Sequence, residues 1–296
     1  MSSERVNSEA ASSEPAKTPP SQWSPGSLGF SPNFVKLTPA LIGFGVYSLF
    51  VSGVDWYTEG KITLSSNFHT LIGLILGLLL VFRTNTAYDR WWEGRKLWGQ
   101  LVNDSRNFAV KIAACVRAEP RDKIEVAARL SAFALALKLH LRGGVKLQQL
   151  PTFEHSTDNP THVPAYIVAR IYDRLERWRH AEQLGGFELL FLDRHAAALL
   201  DICGACERIK KTPISRGYRR FILQSIWVYL ATLPWGLVDF LGWWTAPVTV
   251  VVAYMMLGIE VLAEHAEDPF GTDADDLPLD DICATIDRSM HEIVDW

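Results

Sequence analysis

The chain has 296 residues, 48% of them hydrophobic and 21% charged, with a net charge of −4 and a mean hydropathy of only +0.06. This balance excludes the broad basic excess that draws a protein onto nucleic acid, and four cysteines (Cys115, Cys203, Cys206, Cys283) in so long a chain are reduced thiols, not a disulfide framework. The apolar residues are gathered into long uncharged stretches with the charges crowded between them, the pattern of a chain that lies partly in lipid and partly in water.

Residues 1–31 are rich in Ser, Pro, Glu and Ala and contain no apolar run that would serve as a signal-peptide core, so they are predicted to be a disordered tail. A helix that crosses a bilayer needs about 20 mostly apolar residues, because lipid offers an open backbone no hydrogen bonds. Residues 32–82 hold two such stretches, 37–54 and 62–82, and residues 217–262 hold two more, 221–238 and 240–259, parted only by Asp239. Between the pairs, residues 83–216 are too polar for lipid and carry helical apolar periodicity over 125–141, 165–180 and 188–211, which predicts a helical cytosolic domain. Residues 263–296 read as an acidic cytosolic segment. The flank after the second stretch carries Arg83, Arg90, Arg95 and Lys96, and the flank before the third carries Arg208, Lys210, Lys211, Arg216, Arg219 and Arg220. The two short linkers are nearly free of cations, and Trp56, Tyr57, Trp235, Trp243 and Trp244 lie beside them. Cations stay on the cytoplasmic side and indoles favour the interface. The prediction is therefore a multi-pass protein of the cell (inner) membrane with four spans, partnered by the lipid bilayer, both termini cytoplasmic.

The stretch 83–108, RTNTAYDRWWEGRKLWGQLVNDSRNF, continues the second span with no breaker beyond Gly94 and Gly99. Its R-x-N-x-x-Y-x-R-W-W-E-x-R-x-x-W-G pattern resembles the signature of the bestrophin family, in its prokaryotic and plastid form. CERIKKTPIS (206–215) and EDPFGTDADDLPLD (267–280) are similar to two further segments of that family, and the resemblance covers roughly residues 33–281. It implies an all-α membrane protein, assembled as a homopentamer around a central pore for small inorganic ions, with the second span of every subunit lining it. Counted from Arg90 and Trp91, the family's apolar neck falls on Leu74, Leu78 and Phe82. Steps of four residues advance about 400°, so these three share one helix face within about 80°, and five copies would make a dry constriction that gates by dewetting. The competing reading is an ordinary lipid-facing or core stripe.

Arg83, Arg90, Trp91, Trp92 and Glu93 are read as a structural signature, either fixing the pore helix through Asp89 or Glu93 or anchoring it at the interface. A second constriction at the cytosolic mouth is placed at Phe187, with Leu184 as the other choice. In eukaryotic bestrophins the acidic turn is a calcium clasp, and the matching positions are Asp268, Asp273 and Asp276. Here Asp268 replaces an Asn and Ala274 interrupts the acidic run, so a solvated or helix-capping turn competes with a metal site. No other cofactor is implied. The C-x-x-C at Cys203 and Cys206 has no second pair, and no phosphate loop, H-E-x-x-H or G-x-S-x-G is present, which speaks against an enzyme. The family points to chloride; a cation-selective channel and a metal-dependent transporter or membrane enzyme are the alternatives.

Overall fold

A computed structural model describes residues 35–59, 66–273 and 275–294. The tail expected to be disordered, the first residues of the second predicted span, and Ala274 lie outside the described residues. All regular structure among the described residues is helical: α1 Thr38–Thr58, α2 Ser66–Cys115, α3 Pro120–Arg142, α4 Val163–His180, α5 Gly186–Lys211, α6 Arg216–Leu241, α7 Thr245–Glu267 and α8 Leu279–Val294, with 3-10 turns at Leu147–Gln149 and Gly242–Trp244.

By length and composition, α1, the first part of α2, and the continuous stretch formed by α6 and α7 are apolar enough to cross a membrane. Helices α6 and α7 form an antiparallel hairpin: Arg219, near the start of α6, pairs with Glu260 and Glu264, near the end of α7. Helix α6 runs through Asp239, where the spans had been expected to part, and stops at Gly242, which adopts φ +52°. Left-handed backbone is cheap only for glycine, whereas an aspartate does not by itself end a helix. Pro234 sits inside α6, and there Tyr47 of α1 donates to the Ala231 carbonyl at 2.8 Å while accepting from Trp235 Nε1 at 2.8 Å. These bonds tie α1 to α6 where proline weakens the helical ladder.

The 50 residues of α2 form one unbroken helix, about 75 Å long, which belongs to two separate cores. Its first part packs Leu76 and Leu80 with Phe44, Ile222, Ile226 and Leu257 in an apolar bundle of α1, α6 and α7. Its second part packs Trp98, Leu101 and Phe108 into a core shared with α3, α4, α5 and α8. The acidic C-terminal stretch contributes to that second core. Leu279, Ile286, Met290 and Ile293 share the buried face of α8, and Asp280 holds Lys138 and Arg142 of α3 at 2.7 and 2.9 Å.

A candidate ion pathway along the long helix

Helical spacing divides α2 lengthwise into a buried and an open flank. Leu76, Leu80, Arg83, Ala87, Trp98 and Leu101 face the cores, and the opposite flank is left open by the rest of the described chain. Leu74, Leu78 and Phe82 lie there with 72%, 56% and 55% of their surface exposed. Beyond them the same face carries Asn85, Asp89, Trp92, Lys96, Gln100 and Asn103, all exposed. Asp89 and Lys96 have no hydrogen-bond or ion-pair partner among the described residues, while Glu93, on the adjoining face, is paired with Arg208 at 2.6 Å.

Arg83 marks the change from apolar to polar flank. Its side chain is fully buried; one terminal nitrogen donates to Glu267 Oε2 at 2.7 Å, and Nε lies 3.6 Å from Glu260, an ionic contact rather than a hydrogen bond. Glu267 Oε1 accepts from the Ile214 backbone N–H at 2.8 Å. Two turns further along, Arg90 donates to the carbonyls of Ile209 and Thr212 at 2.6 Å each and to that of Glu267 at 3.0 Å. A single guanidinium thus caps the C-terminal ends of α5 and α7, where unsatisfied carbonyls and the helix dipoles favour a cation. The two arginines contact the neighbouring helices through Glu260, Glu267 and these carbonyls, not through Asp89 or Glu93. A pairing rule confined to one helix could not anticipate acceptors more than a hundred residues away.

The acidic turn covers the buried side of the same helix. Phe270 is fully buried, and a Cβ on Gly94 would stand 3.1 Å from its ring and 3.2 Å from Pro269. Gly94 is therefore a seat for the Pro269–Phe270 pair. Trp91 donates from Nε1 to the Asp275 carbonyl at 3.2 Å, and Trp92 stacks with Tyr88 on the open side. Of the three carboxylates matched to a calcium clasp, Asp268 is bonded to Lys210 Nζ at 2.6 Å and Asp276 accepts from the Asp273 N–H at 2.7 Å; among the described residues only the Asp273 side chain is uncommitted. Burial first, then the charges of Asp273 and Asp268, push the Asp276 carboxyl above its usual range, while the bond from Asp273 opposes this. A hard cation needs six to eight oxygens. In this structure Lys210 supplies the positive charge at Asp268.

Phe187, at the start of α5, is 79% exposed, whereas Leu184 is buried in the second core and is no candidate for an aperture. The structure also brings together three residues that the sequence did not single out: His195 of α5 is held between Asp104 at 2.9 Å and Lys111 at 2.7 Å of α2. An ammonium donates, so His195 Nε2 accepts and Nδ1 carries the proton toward Asp104.

The family model for bacterial and fungal bestrophin proteins matches residues 33–292. This chain belongs to that family. Among its bestrophin relatives are proteins named voltage-dependent anion channel-forming protein. The one from Nostoc sp. is 40% identical over 74% of this chain and 75% of the relative. The one from Synechocystis sp. is 38% identical over 84% of this chain and 83% of the relative. Among solved structures, that of a point mutant of a bacterial bestrophin homolog from Klebsiella pneumoniae superposes with a TM-score of 0.82 at 28% identity, covering 87% of this chain and 98% of that one. Family and apolar helices together make this bestrophin a membrane protein.

Proposed function

We infer that this bestrophin is one subunit of a homopentameric anion channel with four membrane spans, α1, the first part of α2, α6 and α7, and with both termini and the second core on the cytoplasmic side. The observation that carries the reading is the open flank of α2. An apolar helix face left bare inside a bilayer is unremarkable, since lipid covers it. This face stays bare past Phe82, where the side chains turn polar and lipid no longer explains it. A fivefold axis along that flank accounts for both halves, with Leu74, Leu78 and Phe82 as a dry neck and the polar half as a water-filled vestibule. Phe187 is the aperture side chain in this reading.

The names of the cyanobacterial relatives support anions. The neck has no charge with which to choose a sign. Below it, the open face carries one cation, Lys96, and one anion, Asp89. The second reading, cation selectivity, rests on Asp89 being nearer the neck. Lys210 at Asp268 favours gating that does not depend on calcium.

The test is the particle mass in detergent combined with currents in planar bilayers. A particle of five chains whose reversal potential under a KCl gradient follows chloride is the expected result. A monomer or dimer would remove the channel, and a reversal potential that follows potassium would reverse the sign.

A further inference from the structure

We propose that His140, His162, Cys203 and Glu207 form a binding site for a borderline divalent transition metal, zinc foremost, which fastens α3, α4 and α5 together. The site does not rest on the channel reading. His140 lies in the last turn of α3, His162 is the N-cap of α4, and Cys203 and Glu207 are one turn apart on α5. Both imidazoles reach the same carboxylate oxygen: His140 Nε2 and His162 Nε2 are each 2.8 Å from Glu207 Oε1. The ligand atoms of these three residues all lie within 4.8 Å of one another. The Cys203 thiol is 3.9 Å from that oxygen too, and the other carboxylate oxygen is turned away to Lys211 Nζ at 2.5 Å.

Two imidazoles, a thiol and a carboxylate are the donor types of zinc and its neighbours, not of calcium or magnesium. Around a tetrahedral ion the nitrogen-to-oxygen separations would be about 3.3 Å and the sulfur-to-oxygen separation about 3.6 Å. The two imidazoles would open by about half an ångström from Glu207 Oε1 and the thiol would close by about 0.3 Å. Cys203 is buried, whereas the His162 side chain is 42% exposed, so an ion has a path in from water. The bond from Lys211, and after it those from the imidazoles, hold the Glu207 carboxyl down at about 2 against its burial, so it is an anion at neutral pH. Burial and the charge of Glu207 push the Cys203 thiol up to about 12, a bias that a bound divalent cation opposes.

Coordination rearranges protons in a defined way. Each imidazole shifts its proton from Nε2 to Nδ1, and Cys203 releases its S–H proton to solvent. His162 Nδ1 at present accepts the Ala165 N–H at 3.1 Å as the cap of α4, so the metal costs that cap. His162→Asn separates the two roles, because asparagine caps a helix well but removes the ring nitrogen.

The experiment takes the full chain in detergent, strips it with a chelator and titrates it with Zn²⁺ against a chromophoric indicator. One equivalent per chain is expected, with H140Q and H162N each weakening it by at least about tenfold. Zinc should raise the Tm of the parent but not that of H162N. Co²⁺ in place of Zn²⁺ should show a thiolate charge-transfer band that C203S abolishes. No stoichiometric binding tighter than about 10 µM, or equal binding by a doubly substituted H140Q/H162N chain, would overturn the site, and a cobalt complex without the thiolate band would overturn the assignment of Cys203.

Discussion

The two halves of α2 have the same geometry and opposite solvents. From Leu71 to Phe82 the helix is apolar on every side, so its inward face differs from its outward face only in what covers it. Below Arg83 the buried face keeps large apolar side chains, Trp98, Leu101 and Phe108, while the open face changes to Asn, Asp, Lys and Gln. Only the lower half shows by its chemistry that water lies along the flank. The upper half acquires a direction from its continuity with the lower, and the residues that secure that continuity are the buried arginine and the Gly94 seat.

Breaking the junction should have the largest effect. Arg83→Met leaves Glu260 and Glu267 without their buried cation and is expected to cost about 3–5 kcal/mol, read as loss of folded particle in fluorescence-detected size exclusion; an unchanged elution and Tm would show that the halves do not depend on Arg83. Next is Gly94→Leu, which drives a side chain into Phe270 and Pro269. About 1–3 kcal/mol of destabilisation is expected from such overpacking, measured as a fall in Tm.

The upper half itself is tested by Leu78→Ala and Phe82→Ala, which should widen the neck and raise single-channel conductance about severalfold. Unchanged currents in both would hand that flank back to lipid. The lower half is sharpened by charge: Lys96→Gln should lower, and Asp89→Asn should raise, the chloride-to-sodium permeability ratio by about twofold, read from reversal potentials. The smallest effect concerns α8. Bonds from Lys138 and then Arg142 hold the Asp280 carboxyl below its usual range. Its stabilising contribution is therefore present above the ordinary carboxylate pKa, near 3.9, and is lost as pH falls through the lowered value. Asp280 is largely exposed, so Asp280→Asn should cost about 0.2–1 kcal/mol; a Tm difference from the parent that grows as the pH is lowered would contradict this account.

Much of the molecule is legible in one dimension. Hydropathy finds the apolar stretches and periodicity finds α3, α4 and α5 to within a few residues, because helix hydrogen bonds are local and a bilayer demands length and greasiness together. The four-residue spacing puts Leu74, Leu78 and Phe82 on one face for the same reason. Helix α8 was harder to see, since its apolar positions are embedded in an acidic run and the core that buries them comes from elsewhere in the chain.

What the sequence by itself determined is where the chain is greasy, where it is helical, and which family it resembles. The tertiary structure alone decided which partners the signature residues take: Arg90 on the carbonyls of two distant helices, Phe270 on Gly94, Lys210 on Asp268, and two histidines on Glu207. Periodicity records only what recurs along one helix. Contacts between groups tens to hundreds of residues apart have no spacing to announce them and exist only once the helices have packed.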